Sequence, residues 1–208
     1  MSGPIAILHL DESCLGNGRE GENPGGGGGL IEVRGRSGKI ERRDLFLHEP
    51  ATTNNRMALK GATLALDLLA RKGARVASLM ASDSQYLVKG MREWVPGWKA
   101  RGWTRKGGPI ENLELWKALD AASRRHDGQW VWLRGHQRHP KNEYADWLAV
   151  RAAREQRSTD GAVDSEFDEW LSAAQQKGLY AGYDADSGFA KLEARVAAGE
   201  PFPLVLVE

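Results

Sequence analysis

The sequence predicts an α/β domain built on a mixed five-stranded sheet, an antiparallel meander plus two parallel strands, flanked by helices. Three observations predict it. Short apolar runs of strand length alternate with longer stretches of helical spacing, in the order β-β-β-α-β-α-α-α-β-α. The first three strands follow one another without a helix, whereas the last two are each preceded and followed by one, as parallel strands require. Two of the apolar runs end in an aspartate, Asp11 and Asp83, at the end of a sheet where ligands commonly bind.

Each element has its own signal. "IAILHLDES" is a short apolar run that reads as a buried first strand. "GLIEVRG" and "IERRDLFLHE" read as two more, joined by the turn "RSGK". The glycine-rich stretch "GNGREGENPGGGGG" is expected to turn the chain from the first strand into the second. It lacks the Lys-Ser/Thr and the helix of a phosphate-binding loop. Asn54 to Arg71 carries leucines among small residues and ends at Lys72-Gly73, a helix pattern. "RVASLMAS" is the fourth strand. "SQYLVKG" and "REWVPGWKARG" are expected as two short helices separated near Pro96-Gly97. "ENLELWKALDAASRRH" sets Leu113, Trp116 and Leu119 at helical spacing. "QWVWLRG" is the fifth strand, and "PKNEYADWLAVRAARE" a helix with Pro140 in its first turn.

Composition bounds the function. The 208 residues hold one cysteine, Cys14, which rules out an internal disulfide and a cysteine-based zinc site. The N-terminus has no basic region followed by a long apolar run, and no run of about 18 apolar residues occurs, so no signal peptide or membrane span is expected. A monomer in the cytoplasm is the expectation. Residues 1–157 carry 26 Lys+Arg against 18 Asp+Glu, whereas residues 158–208 carry 3 against 10. The division predicts a basic domain over 1–157, suited to a polyanion, and an acidic, partly helical C-terminal extension over 158–208. That extension either packs on the basic body and competes with nucleic acid, or is a separate small helical appendage or a partner-docking element.

Asp11, Asp83 and Asp146 stand out as candidate ligands for hard divalent cations, because parallel first and fourth strands would bring the first two side by side. Five blocks in order, "LDESCLGN", "TTNNRMALKGA", "ASDSQYLVKG", "EWVPGWKARGWTRKGGPIENLELWKALD" and "WVWLRGHQRHPKNEYADWLA", strongly resemble type 1 ribonuclease H of the bacterial kind. The resemblance covers about residues 5–154. It implies the ribonuclease H-like fold and hydrolysis of the RNA strand of RNA–DNA hybrids with two Mg2+ ions, for which Mn2+ can substitute. By the same resemblance, Asp11, Asp83 and Asp146 match three of the family's four metal-binding carboxylates. The fourth is the glutamate of the family's "NNRMEL", and here that position is Ala58. A methyl group binds no cation. Either a deliberate Glu-to-Ala change has stopped turnover while keeping the fold, leaving a silent hybrid-binding protein, or the chain is a natural variant that recruits another acid or has lost activity. Glu12 is the nearby candidate in sequence, although alternation along a strand points it away from Asp11.

The resemblance also implies that His136 is the family's loop histidine, assisting proton transfer or product release. His136 and His139 could instead read as a zinc pair, but no further ligands accompany them. Glu143, one turn before Asp146, is either an edge support of the metal site or merely solvated. Cys14, Asn17, Asn54, Asn55 and Gln85 match the residues that line the groove for the RNA strand, where amide groups both donate and accept. Asn54 is also read as the helix cap. Thr53 matches a phosphate-pocket threonine, with Arg56 beside it. Trp94, Trp98 and Trp103, interleaved with Arg92, Lys99, Arg101, Arg105 and Lys106, resemble the basic protrusion that grips the DNA strand.

Overall fold

The computed structural model describes residues 5–16, 23–71, 73, 75–134, 139–203 and 205–206. The five expected strands are present: β1 (Ile5–Cys14), β2 (Gly25–Arg34), β3 (Ile40–Glu49), β4 (Ala77–Ser82) and β5 (Asp127–Leu133). The sheet is wider than five, because two-residue strands β6 (Val163–Asp164) and β7 (Val205–Leu206) extend its edges. The order is β6-β3-β2-β1-β4-β5-β7. β1, β2 and β3 form the antiparallel meander. β4 pairs parallel with β1 and with β5, so β1 and β4 lie side by side as the sequence implied.

Three glycines of the run at 25–29 place the two layers of helices. They do not form the connecting turn, which is a correction to the sequence reading; all five residues of the run lie inside β2. A Cβ on Gly26 or Gly28 would stand 2.0 Å from the Ala149 carbonyl oxygen or 2.2 Å from that of Ala145. Both carbonyls belong to α5 (Pro140–Glu155), so the bare strand lets that helix lie backbone to backbone on the sheet. Gly27 does the same on the opposite face, under Met57 of α1 (Asn54–Ala70). Side chains of β1 alternate accordingly. Ala6, Leu8 and Leu10 pack with α1, including Ala58, Leu59 and Leu66, and with Trp116 and Leu119 of α4 (Leu113–Ser123).

The segment from Gln85 to Ala100 also departs from expectation. Helix α2 (Gln85–Lys89) runs through a π-helical turn (Gly90–Trp94) into α3 (Val95–Ala100), with no break at Pro96-Gly97. Pro96 falls in the first turn of α3, where its missing N–H costs nothing, and the wider turn before it makes room for its ring. Gly90 is needed at that turn because a Cβ there would meet the Trp116 ring at 2.0 Å.

The acidic C-terminal segment packs on the sheet. Helix α6 (Phe167–Gln176) buries Phe167 and Leu171 against Leu30, Phe46, Tyr144 and Leu148. Helix α7 (Ala185–Ala197) buries Phe189 and Leu192 against Ile5, Ile7, Leu79 and Val131 on the same side of the sheet. Its acids pair with arginines of the body: Asp164 with Arg43, Glu166 with Arg151, Asp168 and Asp186 with Arg42, and Glu193 with Arg34. Among the described residues no helix is long and apolar enough to cross a membrane.

Candidate active site

The carboxyl ends of β1 and β4 and the first turns of α5 converge on one cleft of about 500 Å³. Asp11 comes from β1, Asp83 from the residue after β4, and Asp146 from the second turn of α5; all three line it. Each is placed by a local contact or by the layer beneath it. Asn142 donates its amide N–H to Asp11 Oδ2 at 2.9 Å, and the Glu12 backbone N–H donates to Asp11 Oδ1 at 2.7 Å. The Trp132 indole donates to the Asp83 carbonyl oxygen at 3.2 Å. Asp146 rides on α5, whose seat on the glycines of β2 sets its height.

Below the cleft a buried ionic network holds the start of α5. Lys141 Nζ sits 2.9 Å from Glu32 Oε2, and Arg42 Nε donates to Glu32 Oε1 at 3.0 Å, with Glu32 fully buried. Two cations compensate that carboxylate, which is what a charge in such a place requires. His9 lies beside them, and burial together with His139 and Lys141 pushes its pKa well below the ordinary histidine range. His139 caps α5, its ring accepting from the Asn142 N–H at 3.4 Å, and lines the cleft.

Glu12 belongs to this cluster. Alternation does turn it off the Asp11 face, but onto the face covered by α1, the layer that carries Ala58. β1 and β4 stop pairing after His9 and Ala81, so beyond that point the Glu12 side chain is free to reach across the end of β4. There it lies within reach of Ser84 and feels the charges of Asp83 and Asp146. Burial, followed by those two charges, raises its pKa to about 7. Asp11 is raised further, by burial first and then by Asp83, Glu12 and Asp146; the Glu12 N–H only partly offsets them. Glu12 thus takes the face away from Asp11, as alternation implied, yet stays close enough to Asp83 and Asp146 for their charges to act on it.

The donor set fits a divalent cation. Carboxylate oxygens are hard ligands, and the charges acting on Asp11 and Glu12 are all negative, a repulsion that a bound cation would relieve. Among the described residues no group of three or more His, Cys, Asp or Glu side chains is placed to hold a metal ion as they stand, so the fit is one of donor chemistry.

The remaining candidates divide. Cys14, Thr53, Asn54, Asn55 and Gln85 gather at the same end of the sheet, with Cys14 Sγ 3.5 Å from the Thr52 carbonyl oxygen and Gln85 exposed at the start of α2. Thr53, not Asn54, caps α1, its hydroxyl accepting from the Arg56 N–H at 3.4 Å. Asn17 and His136 lie outside the described residues. In the protrusion Trp98 is the buried tryptophan, packed against Trp116 at 5.7 Å, while Trp94 and Trp103 are half-buried. Arg92, Arg101, Arg105 and Lys106 are exposed, whereas Lys99 is paired with Asp120 at 2.8 Å. Sequence reasoning missed Asn142, although it stands four residues before Asp146 on the same helical face. It also missed Trp170 of α6 as a lining residue of the cleft, for which no local signal exists.

Carboxylates grouped at the ends of two parallel strands, in a chain with a basic, tryptophan-rich segment, point to a nuclease, a hydrolase of phosphodiesters. The RNase H family model matches residues 4–154. The ribonuclease H of Aromatoleum aromaticum is 46% identical over 157 residues, covering 75% of this chain and 95% of that protein. The ribonuclease HI of Caulobacter vibrioides is 42% identical over 153 residues, covering 73% and 95%. The crystal structure of LC9-RNase H1, a type 1 RNase H with the type 2 active-site motif, superposes with a TM-score of 0.81 at 42% identity, covering 100% of this chain and 98% of that one. The chain belongs to the ribonuclease H family, type 1.

Proposed function

We propose that the chain is an active endonuclease that hydrolyses the RNA strand of RNA–DNA hybrids, with Asp11, Glu12, Asp83 and Asp146 as its divalent-metal site. What supports this reading is the place of Glu12, next to Asp11 on the face of β1 covered by the helix that carries Ala58, and close enough to Asp83 and Asp146 for their charges to act on it. The crystal structure titled LC11-RNase H1 in complex with RNA/DNA hybrid has the same fold, at 18% identity and a TM-score of 0.52, and supports the hybrid as the substrate class.

When bound, Mg2+ or Mn2+ supplies charge neutralisation at the scissile phosphate and acidifies a water. The chain's own residues do the rest. Asn142 fixes the rotamer of Asp11. Cys14, Asn17, Asn54, Asn55 and Gln85 read the RNA strand by its 2′-hydroxyls. Thr53 and Arg56 hold a DNA phosphate, and Arg92, Arg101, Arg105 and Lys106 hold the DNA strand further out. His136 moves a proton or helps release product.

The test is cleavage of a labelled hybrid by the parent, Glu12→Gln, Ala58→Glu and the two changes together. The parent cuts. Glu12→Gln loses more than about 100-fold, beyond the cost of losing an outer-shell partner. Ala58→Glu in that background restores part of the rate. Equal cleavage by Glu12→Gln and the parent would overturn the assignment of Glu12. A parent that binds hybrid without cutting it would favour the silent binding protein.

A further inference from the structure

The C-terminal segment enters the active site. Trp170 of α6 lines the catalytic cleft together with Asp11, Asp83 and Asp146. Tyr180, in the turn after α6, donates its phenolic O–H to the carboxylate of Glu143. Glu143 also lines the cleft, three residues before Asp146 on α5.

Tyr180 is held in place from three directions. Its backbone is left-handed, at φ 52°. A bulky residue adopts that region only when its surroundings over-determine it, and such strain gathers at functional positions. Gly178 and Gly182, on either side, already supply the left-handed freedom that the turn needs, at φ 80° and 74°. Gln175 Nε2 donates to the carbonyl oxygens of Tyr180 and Tyr183, at 3.3 and 3.2 Å. The Tyr180 ring stacks on Trp170 with centroids 5.7 Å apart, and Trp170 meets the buried Tyr144 edge-on at 5.4 Å. Together these contacts aim one hydroxyl at one carboxylate.

We infer that Tyr180 is a positioning residue of the active site, which holds Glu143 at the rim of the acid cluster so that its charge adds to the attraction for the divalent ion. The inference rests on the metal-site reading above. A rival account makes the same hydrogen bond a fastening for the C-terminal segment and nothing more.

Titration calorimetry with Mn2+ alone separates the two, using the full chain and its variants Tyr180→Phe, Glu143→Gln, both together, and Asp83→Asn. Phenylalanine keeps the stack on Trp170 and removes only the hydroxyl. The expected result is that Tyr180→Phe weakens Mn2+ binding about 10-fold, at the low end for loss of an outer-shell partner, with its metal-free Tm little changed. Glu143→Gln weakens it at least as much, and the double variant adds nothing to Glu143→Gln. If Tyr180→Phe binds Mn2+ like the parent while Asp83→Asn does not, the tyrosine is a fastening and the inference is overturned. If Asp83→Asn also binds Mn2+ like the parent, the metal-site reading itself fails and takes this one with it.

Discussion

Asp11 and Glu12 are neighbours in the chain that reach the same cluster from opposite faces of a strand. Their burial and mutual repulsion have a consequence for stability. Both carboxyls have folded-state pKa values above their ordinary ones, Glu12 at about 7. The folded protein therefore holds protons that the unfolded chain has released, and stability falls as pH rises. The contribution is fully present below the ordinary carboxylate range and is lost as pH climbs through about 7 for Glu12, and higher for Asp11. Metal-free protein is expected to melt at a lower temperature at pH 9 than at pH 5.5. Mn2+ should raise Tm more at the higher pH, because cation and proton compete for the same oxygens. Thermal scans across pH with and without Mn2+ check this, and in Glu12→Gln the metal-free slope near pH 7 should shrink. A slope that survives in Glu12→Gln and Asp11→Asn alike would place its origin elsewhere.

β2 and α5 act as a pair. Alternate glycines of the strand admit the helix backbone, and that helix brings Asn142, Glu143 and Asp146 to the cleft. Gly28→Ala would put a methyl 2.2 Å from the Ala145 carbonyl oxygen and 2.6 Å from the Ala149 nitrogen, two backbone atoms that cannot rotate away. The expected cost is about 3 kcal/mol, at the upper end for overpacking. Denaturant unfolding measures it. Hybrid cleavage by the folded fraction should also fall, because α5 has to lift and Asp146 lifts with it. A substitution that is stable and fully active would show that α5 is not seated by this contact.

The C-terminal segment ties the molecule together at both sheet edges, with β6 on β3 and β7 on β5. It covers the face of the sheet left open beside α5, burying Phe167, Phe189 and Phe202. Its acids answer arginines of β2, β3 and α5, while Arg92, Arg101, Arg105 and Lys106 of the protrusion remain exposed. Ending the chain after Arg157 removes three buried phenylalanines, each contributing about 1.5–3 kcal/mol. Part of that is offset by the entropy of the segment left unordered, and a fall in Tm of at least about 10 °C is expected. Calorimetry of the truncated and full chains decides this; equal Tm values would mean that 1–157 is a self-sufficient domain.

The sequence by itself determined the five main strands, the placement of α1, α4 and α5, and the three aspartates, because these rest on local periodicity and on residue types at strand and helix ends. It also exposed the gap at Ala58, since one residue in an otherwise matching block stands out. Other features were illegible because they depend on what lies across the sheet. The glycine run reads as a turn until α5 is seen pressing on it. Glu12 reads as misdirected until the end of β1–β4 pairing leaves its side chain within reach of the charges of Asp83 and Asp146. Tyr180 and Glu143 are 37 residues apart in the chain, and only the packing of α6 on α5 brings them together. Periodicity reports which face a residue takes; which residues meet on that face is settled by how the layers close.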